Sequence, residues 1–150
     1  MKMINFKQLL KDKNQLRLFF YDLIRFYLGI GLFLKGLQFM TQPKILEFWI
    51  KMTQISGFSK FLIYYVVFAH ICGGLFLSIG IGTRLAAIAQ IPVLLGAVFF
   101  VHSKEGLFTY SHNLEFTIFI LFLLIIYIFS GAGRYSIDYF LKKEFSKKNT

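Results

Sequence analysis

A chain of 150 residues is long enough for one domain, and 57% hydrophobic against 16% charged residues leaves it short of the polar surface that ordinary soluble domains carry at about 25% charged. A net charge of +10 raises nucleic acid as a partner, but the Lys and Arg residues gather at the ends of apolar stretches, so a nucleic-acid interface is excluded. The chain reads as a membrane protein.

The N-terminal segment Met1–Arg17 alternates Lys with Phe6, Leu9, Leu10 and Leu16 at helical spacing. That pattern predicts a short amphipathic helix lying on lipid headgroups. Four apolar stretches follow, at 18–40, 61–81, 85–102 and 114–129. A bilayer core of ~30 Å needs about 20 residues of helix, and each stretch meets or nearly meets that length. The expected fold is therefore all-α: a single domain over 1–150 built as a four-transmembrane-helix bundle. The first apolar stretch carries Arg25 and Lys35 and ends without small residues for cleavage, so it is expected to stay as a helix.

Between the first two stretches, Pro43 breaks the helix and Ile45, Leu46, Phe48, Trp49, Met52 and Ile55 recur at near-helical spacing. This predicts an interfacial helix in the first outer loop. In the second stretch, Ala69 and Gly73 stand four apart, as do Gly74, Ser78 and Gly82, which allows close helix packing. Gly80 to Arg84 forms a tight turn into the third stretch, where Pro92 removes a backbone donor and predicts a kink near Gly96. Cys72 is the single cysteine, so neither an intrachain disulfide nor a CxxC centre can form.

With four spans, both termini and the Arg84 turn share one side, and that side holds most of the Lys and Arg. The positive-inside rule places it in the cytoplasm of a bacterial-type inner membrane, with the basic tails on anionic headgroups.

Ionisable and amide side chains inside apolar stretches are costly in lipid and turn inward. At ~1.5 Å rise per residue, Lys35 and Glu115 lie about 10 Å outward of the midplane, with His102 slightly beyond. His70 lies near the middle; Arg25 and Gln90 fall about 6 Å to the cytoplasmic side, close to Asp22. Two polar layers are expected. Arg25, His70 and Gln90 are the candidate ligand-binding residues; Lys35, Glu115 and His102 form a candidate polar pair or path. Lys35 has a stem long enough to snorkel, and Glu115 suits a helix start. His70, His102 and His112 fall on different elements, so no bis-histidine haem or di-metal site is expected and no metal is assigned. Nor does any nucleophilic triad, phosphate loop or thiol pair occur, and the chain is not expected to be catalytic alone.

The stretch His70-Ile-Cys-Gly73-Gly74-Leu-Phe-Leu-Ser-Ile-Gly80-Ile-Gly-Thr83-Arg84 resembles the second-to-third span hairpin of the DoxX family. Arg25-Phe-Tyr-Leu-Gly29 is similar to that family's opening R-x-x-x-G. Gly131-Ala-Gly133-Arg-Tyr-Ser136-Ile-Asp138 is similar to its closing G-x-G-x-x-S-x-D. His70 stands where many members carry Glu. The resemblance implies a four-span inner-membrane protein and marks Gly73, Gly74, Thr83, Arg84, Gly131, Gly133 and Asp138 as motif residues. Some family members are associated with quinone-linked oxidoreductases, including a thiosulfate:quinone oxidoreductase subunit, and others with oxidative or thiol stress.

The leading functional expectation is an accessory subunit of a quinone-linked oxidoreductase or stress-related redox system. A quinone is its expected cofactor, held by Arg25, His70 and Gln90. Its expected partners are the lipid bilayer, an oxidoreductase subunit and a second copy of the chain. Two alternatives carry different signatures: a small transporter or proton-conducting carrier using Lys35, Glu115, His70 and Arg25, and a non-catalytic adaptor docking through its basic ends. Gly131 and Gly133 also suit a purely structural role, ending the fourth helix, with Asp138 capping a helix or pairing with Arg84 or Arg134.

Overall fold

The computed structural model describes residues 6–52, 59–101 and 113–148, and these residues are helical and contain no strand. Helix α1 spans Phe6–Thr41 and α2 spans Pro43–Met52. Helix α3 (Ser59–Phe68) runs through a π-helical segment, Ala69–Gly73, into α4 (Gly74–Ile79). Helix α5 (Thr83–Gly96) runs likewise into a second π segment, Ala97–Val101. Helices α6 (Asn113–Ser130) and α7 (Ile137–Lys148) complete the described chain.

Among the described residues, three helices are long and apolar enough to cross a membrane: Phe61–Ile79, Thr83–Val101 and Asn113–Ser130. Helix α1 is 36 residues long, ~54 Å at 1.5 Å per residue, but its apolar stretch is broken by Asp22, Arg25 and Lys35. The separate N-terminal helix expected before residue 18 is not formed. No Gly or Pro interrupts the chain from Phe6 to Arg17, so nothing stops the backbone ladder, and α1 continues unbroken from Phe6. Helix α2 follows α1 directly, begun by Pro43 at a position where no N–H is required.

Helix α1 packs chiefly on α4 and the first π segment, and α5 packs on α6. Small residues make the α1–α4 approach possible. A Cβ added to Gly74 would lie 2.9 Å from the Gly29 carbonyl oxygen, and one added to Gly29 would lie 2.7 Å from the Gly74 carbonyl oxygen. The two backbones therefore touch where any side chain would hold them apart. Leu28, Leu32, Leu77, Ala86, Ala87, Leu94, Leu124 and Tyr127 form the buried apolar core.

Polarity is arranged inside out. Asp22, Arg25, His70, Ser78, Thr83, Gln90, Thr117 and Ser136 are buried, whereas Tyr27, Tyr64, Phe68, Leu85, Phe99, Phe122 and Phe129 are exposed. Water would penalise so much outward aromatic and aliphatic surface, while hydrocarbon penalises outward charge. A lipid surround satisfies both conditions. The chain is a membrane protein.

Candidate functional site

The three sequence motifs converge on one polar node at the end of the bundle where α4 turns into α5. Helix α4 ends because Gly80 adopts a left-handed conformation (φ 74°), and Gly82 does the same (φ 54°) immediately before α5. Asp138 closes this turn. Its carboxylate accepts the backbone N–H groups of Gly82 (2.9 Å) and Thr83 (3.3 Å), amides that the start of α5 leaves without helical partners. The backbone N–H of Asp138 also donates to the Gly80 carbonyl at 3.1 Å. Asp138 thus caps a helix distant in sequence, and pairs with neither Arg84 nor Arg134 through any bond described.

Arg25 enters the same node from α1. One guanidinium nitrogen donates to the carbonyls of Leu77 (2.7 Å) and Ser78 (3.2 Å), and the other donates to Asp22 (3.3 Å) and to the Tyr135 carbonyl (3.2 Å). The last carbonyls of α4 have no helical N–H to receive them, so a planar fork of donors fits there better than a point charge. Asp22 accepts the Tyr135 N–H through its second oxygen at 3.0 Å. A Cβ on Gly133 would overlap the Asp22 carboxylate, which explains the second glycine of the closing motif. Ser136 donates to the Gly133 carbonyl at 2.6 Å. Arg84 donates to the Phe129 carbonyl at the end of α6 (3.2 Å), and Gly131 ends α6 with φ 75°. Tyr21 donates to the Gly131 carbonyl and Tyr127 to the Tyr21 carbonyl, each at 2.9 Å.

Beyond the Tyr21–Tyr127 link, α1 and α6 part, and a cavity of about 1120 Å³ lies between them against α3 and α5. Its wall is overwhelmingly apolar, including Leu28, Leu94, Pro92, Phe119 and Leu123. Lys35, His70, Asn113, Thr117 and the tyrosines Tyr27 and Tyr65 supply its polar groups. This combination is that of a site for a mostly apolar ligand with a small polar head.

The three residues expected to hold a ligand together occupy different environments. His70 lines the cavity; Arg25 and Gln90 do not. Arg25 is committed to the node. Gln90, fully buried on α5, donates to the Ala69 carbonyl at 2.7 Å. The reason lies in the π segment. The Ala69 carbonyl stands at the start of that segment, where the ladder departs from the regular α-helical step and the Gly74 N–H donates to His70 and Ile71. The Gln90 amide takes up the Ala69 oxygen, and Gly73 leaves room for it: a Cβ there would lie 2.9 Å from Nε2. Thr83 is buried at the start of α5.

His70 sits within that π segment. Its Nδ1 lies 2.9 Å from the Val66 carbonyl oxygen, which can only accept, so Nδ1 carries the proton and the neutral ring keeps its lone pair on Nε2. Phe39 packs edge-to-face on the imidazole, with ring centroids 5.5 Å apart, and the Lys35 ammonium lies 5.2 Å from the centre of the same Phe39 ring. Lys35 therefore belongs to the cavity. Glu115 stands in the first turn of α6, where the helix dipole favours a carboxylate. His102 and His112 lie outside the described residues. Among the described residues, no three His, Cys, Asp or Glu side chains gather where a metal ion could bind.

Phe39 and Thr117 were not singled out by the sequence. Thr117 could have been found from its spacing: it follows Asn113 by one helical turn and donates to the Asn113 carbonyl at 2.7 Å, so both residues face the same side.

Neither the curated proteins nor the solved structures include a match to this chain. The DoxX family model matches residues 20–103, a segment that holds the opening motif, the hairpin and most of the cavity wall. That match spans more than half of the 150 residues, and the chain belongs to the DoxX family.

Proposed function

We propose that this protein is a four-span inner-membrane subunit of a quinone-linked oxidoreductase or stress-related redox system, and that its cavity holds a quinone-class amphiphile. The observation that carries the reading is the cavity of about 1120 Å³, mostly apolar along its length, with Lys35, His70, Asn113, Thr117 and the tyrosines Tyr27 and Tyr65 as its polar lining. An isoprenoid chain needs an apolar trough and its ring needs a few polar contacts, so the residues present fit such a group. When bound, the group supplies electron-carrier chemistry. The chain's own part is to bind and orient the ring beside His70 and to keep water out with Phe39, Leu28 and Leu94.

In this reading α1 is the fourth span. Its ionisable residues are compatible with lipid because Asp22 and Arg25 are buried in the node, and Lys35 has both a long stem and the Phe39 ring. The positive-inside rule then sets both termini and the node on the cytoplasmic side, and α2 on the outer interface. Arg25 and Gln90 hold the elements around the cavity in register, and His70 is the residue that meets the ligand. An electron-transfer partner subunit would dock on the exposed surface.

The test is to purify the protein in mild detergent and identify the small molecules extracted with it. Co-purifying quinone, and a thermal shift on adding quinone to delipidated protein, support the reading. Phospholipid alone, with no shift on adding quinone, overturns it.

A further inference from the structure

At the polar end of the cavity a donor and an acceptor meet the same aromatic ring. Lys35 bears an ammonium, which only donates, over Phe39. His70 packs against the same ring, and with Nδ1 spent on Val66 its remaining nitrogen, Nε2, has only a lone pair to offer. Both residues line the cavity. A ligand carbonyl set against His70 faces the Nε2 lone pair with an oxygen that has no proton to give. A ligand hydroxyl donates to Nε2, whereas the Lys35 ammonium serves an oxygen of either form, so Nε2 is the group that tells the two apart.

Resting on the quinone-class reading above, we infer that the site discriminates by redox form: it takes the hydroxyl-bearing, reduced quinol in preference to the quinone, and His70 Nε2 is the acceptor that selects it. The backbone enforces this choice. The Val66 carbonyl belongs to the same helix one turn earlier, so the imidazole cannot exchange tautomers without losing that bond inside an apolar wall. The π segment that carries His70 is in turn fixed by Gln90 on the Ala69 carbonyl and by the close approach of Gly36, where an added Cβ would lie 2.9 Å from His70 Cβ. The ring is thereby held in place for recognition.

The experiment compares decylubiquinol, kept anaerobic, with decylubiquinone as ligands of the full chain in nanodiscs. Calorimetry gives each dissociation constant, and ¹⁵N NMR of histidine-labelled protein reports on the ring. The quinol is expected to bind about tenfold tighter, the effect of one hydrogen bond made in place of a lone pair left facing an oxygen. On quinol binding, the Nε2 resonance of His70 moves upfield as its lone pair accepts a proton donor, and with the quinone it stays in place. His70→Leu reduces quinol affinity to that of the quinone. Equal affinity for the two forms, a quinone preference, or a quinol preference with no movement of the Nε2 signal overturns the inference while leaving the quinone-class site intact. Binding of neither form to protein that still unfolds cooperatively overturns that reading and the inference together. The NMR readout on the wild type decides the matter even if His70→Leu fails to fold.

Discussion

Arg25 and Leu77 are 52 residues apart in sequence, and the guanidinium of one donates to the backbone carbonyl of the other at 2.7 Å. The bond joins the middle of α1 to the last turn of α4, and the same side chain reaches Asp22 and the Tyr135 carbonyl. A charge that is costly in lipid is thereby turned into the fastening between the opening motif and the closing one. Arg25→Leu strips three carbonyls of their donor and leaves Asp22 buried without its cation. The expected loss is about 3–5 kcal/mol, seen as a large drop in the unfolding midpoint in mild detergent. Arg25→Lys recovers only part of it, since an ammonium cannot reproduce the planar fork.

Asp138→Ala removes the acceptor for the Gly82 and Thr83 amides. A lost N-cap costs about 1–2 kcal/mol, and thermal unfolding should show a loss of that order. Asp138→Asn should recover much of it, because one amide oxygen still accepts. If Asp138→Asn behaved like Asp138→Ala, charge at the helix start would outweigh the bond.

The glycines of α1 and α4 separate into two kinds. Gly29→Ala or Gly74→Ala drives a methyl into the facing backbone and is expected to cost about 1–3 kcal/mol as α1 and α4 move apart. A Cβ on Gly31 meets nothing within 4 Å, so Gly31→Ala should be neutral or stabilising by up to ~1 kcal/mol through helix propensity. Unfolding midpoints should fall for Gly29→Ala and Gly74→Ala and hold or rise for Gly31→Ala.

Gln90→Leu leaves the Ala69 carbonyl in the π segment without its donor. An unsatisfied buried acceptor costs about 1–3 kcal/mol. Amide exchange should rise first over residues 69–74, and with it ligand affinity should fall, because the mobile segment is the one that carries His70. Unchanged exchange there would show that the π segment holds its shape without Gln90.

The helical fold was legible because apolar length is written directly in composition: the stretches expected at 61–81, 85–102 and 114–129 stand beside helices at Phe61–Ile79, Thr83–Val101 and Asn113–Ser130. The start of α1 was misplaced because a change from apolar to basic composition marks a change of surroundings, and only a breaker residue marks the end of a helix. The π segments were illegible: a slip from four to five residues in the ladder leaves no signature in residue type, and Pro92 predicted a distortion near Gly96 without its form. Estimated depth put Arg25 and Gln90 at one level, yet Arg25 bonds the end of α4 and Gln90 bonds the π segment before it, and the partners of both are main-chain carbonyls. An inventory of side chains contains no such acceptors, so both residues were assigned to a ligand. His70 lines the cavity, where the sequence placed a candidate ligand residue.

The proposal that the cavity between α1 and α6 holds a quinone-class molecule is tested most directly by photoaffinity labelling with an azido-quinone. The label should attach to peptides covering Pro92–Val101 and Phe116–Leu123, and excess unlabelled quinol should abolish it. Labelling spread over outward residues such as Phe68 and Phe129, and undiminished by the competitor, would contradict the claim.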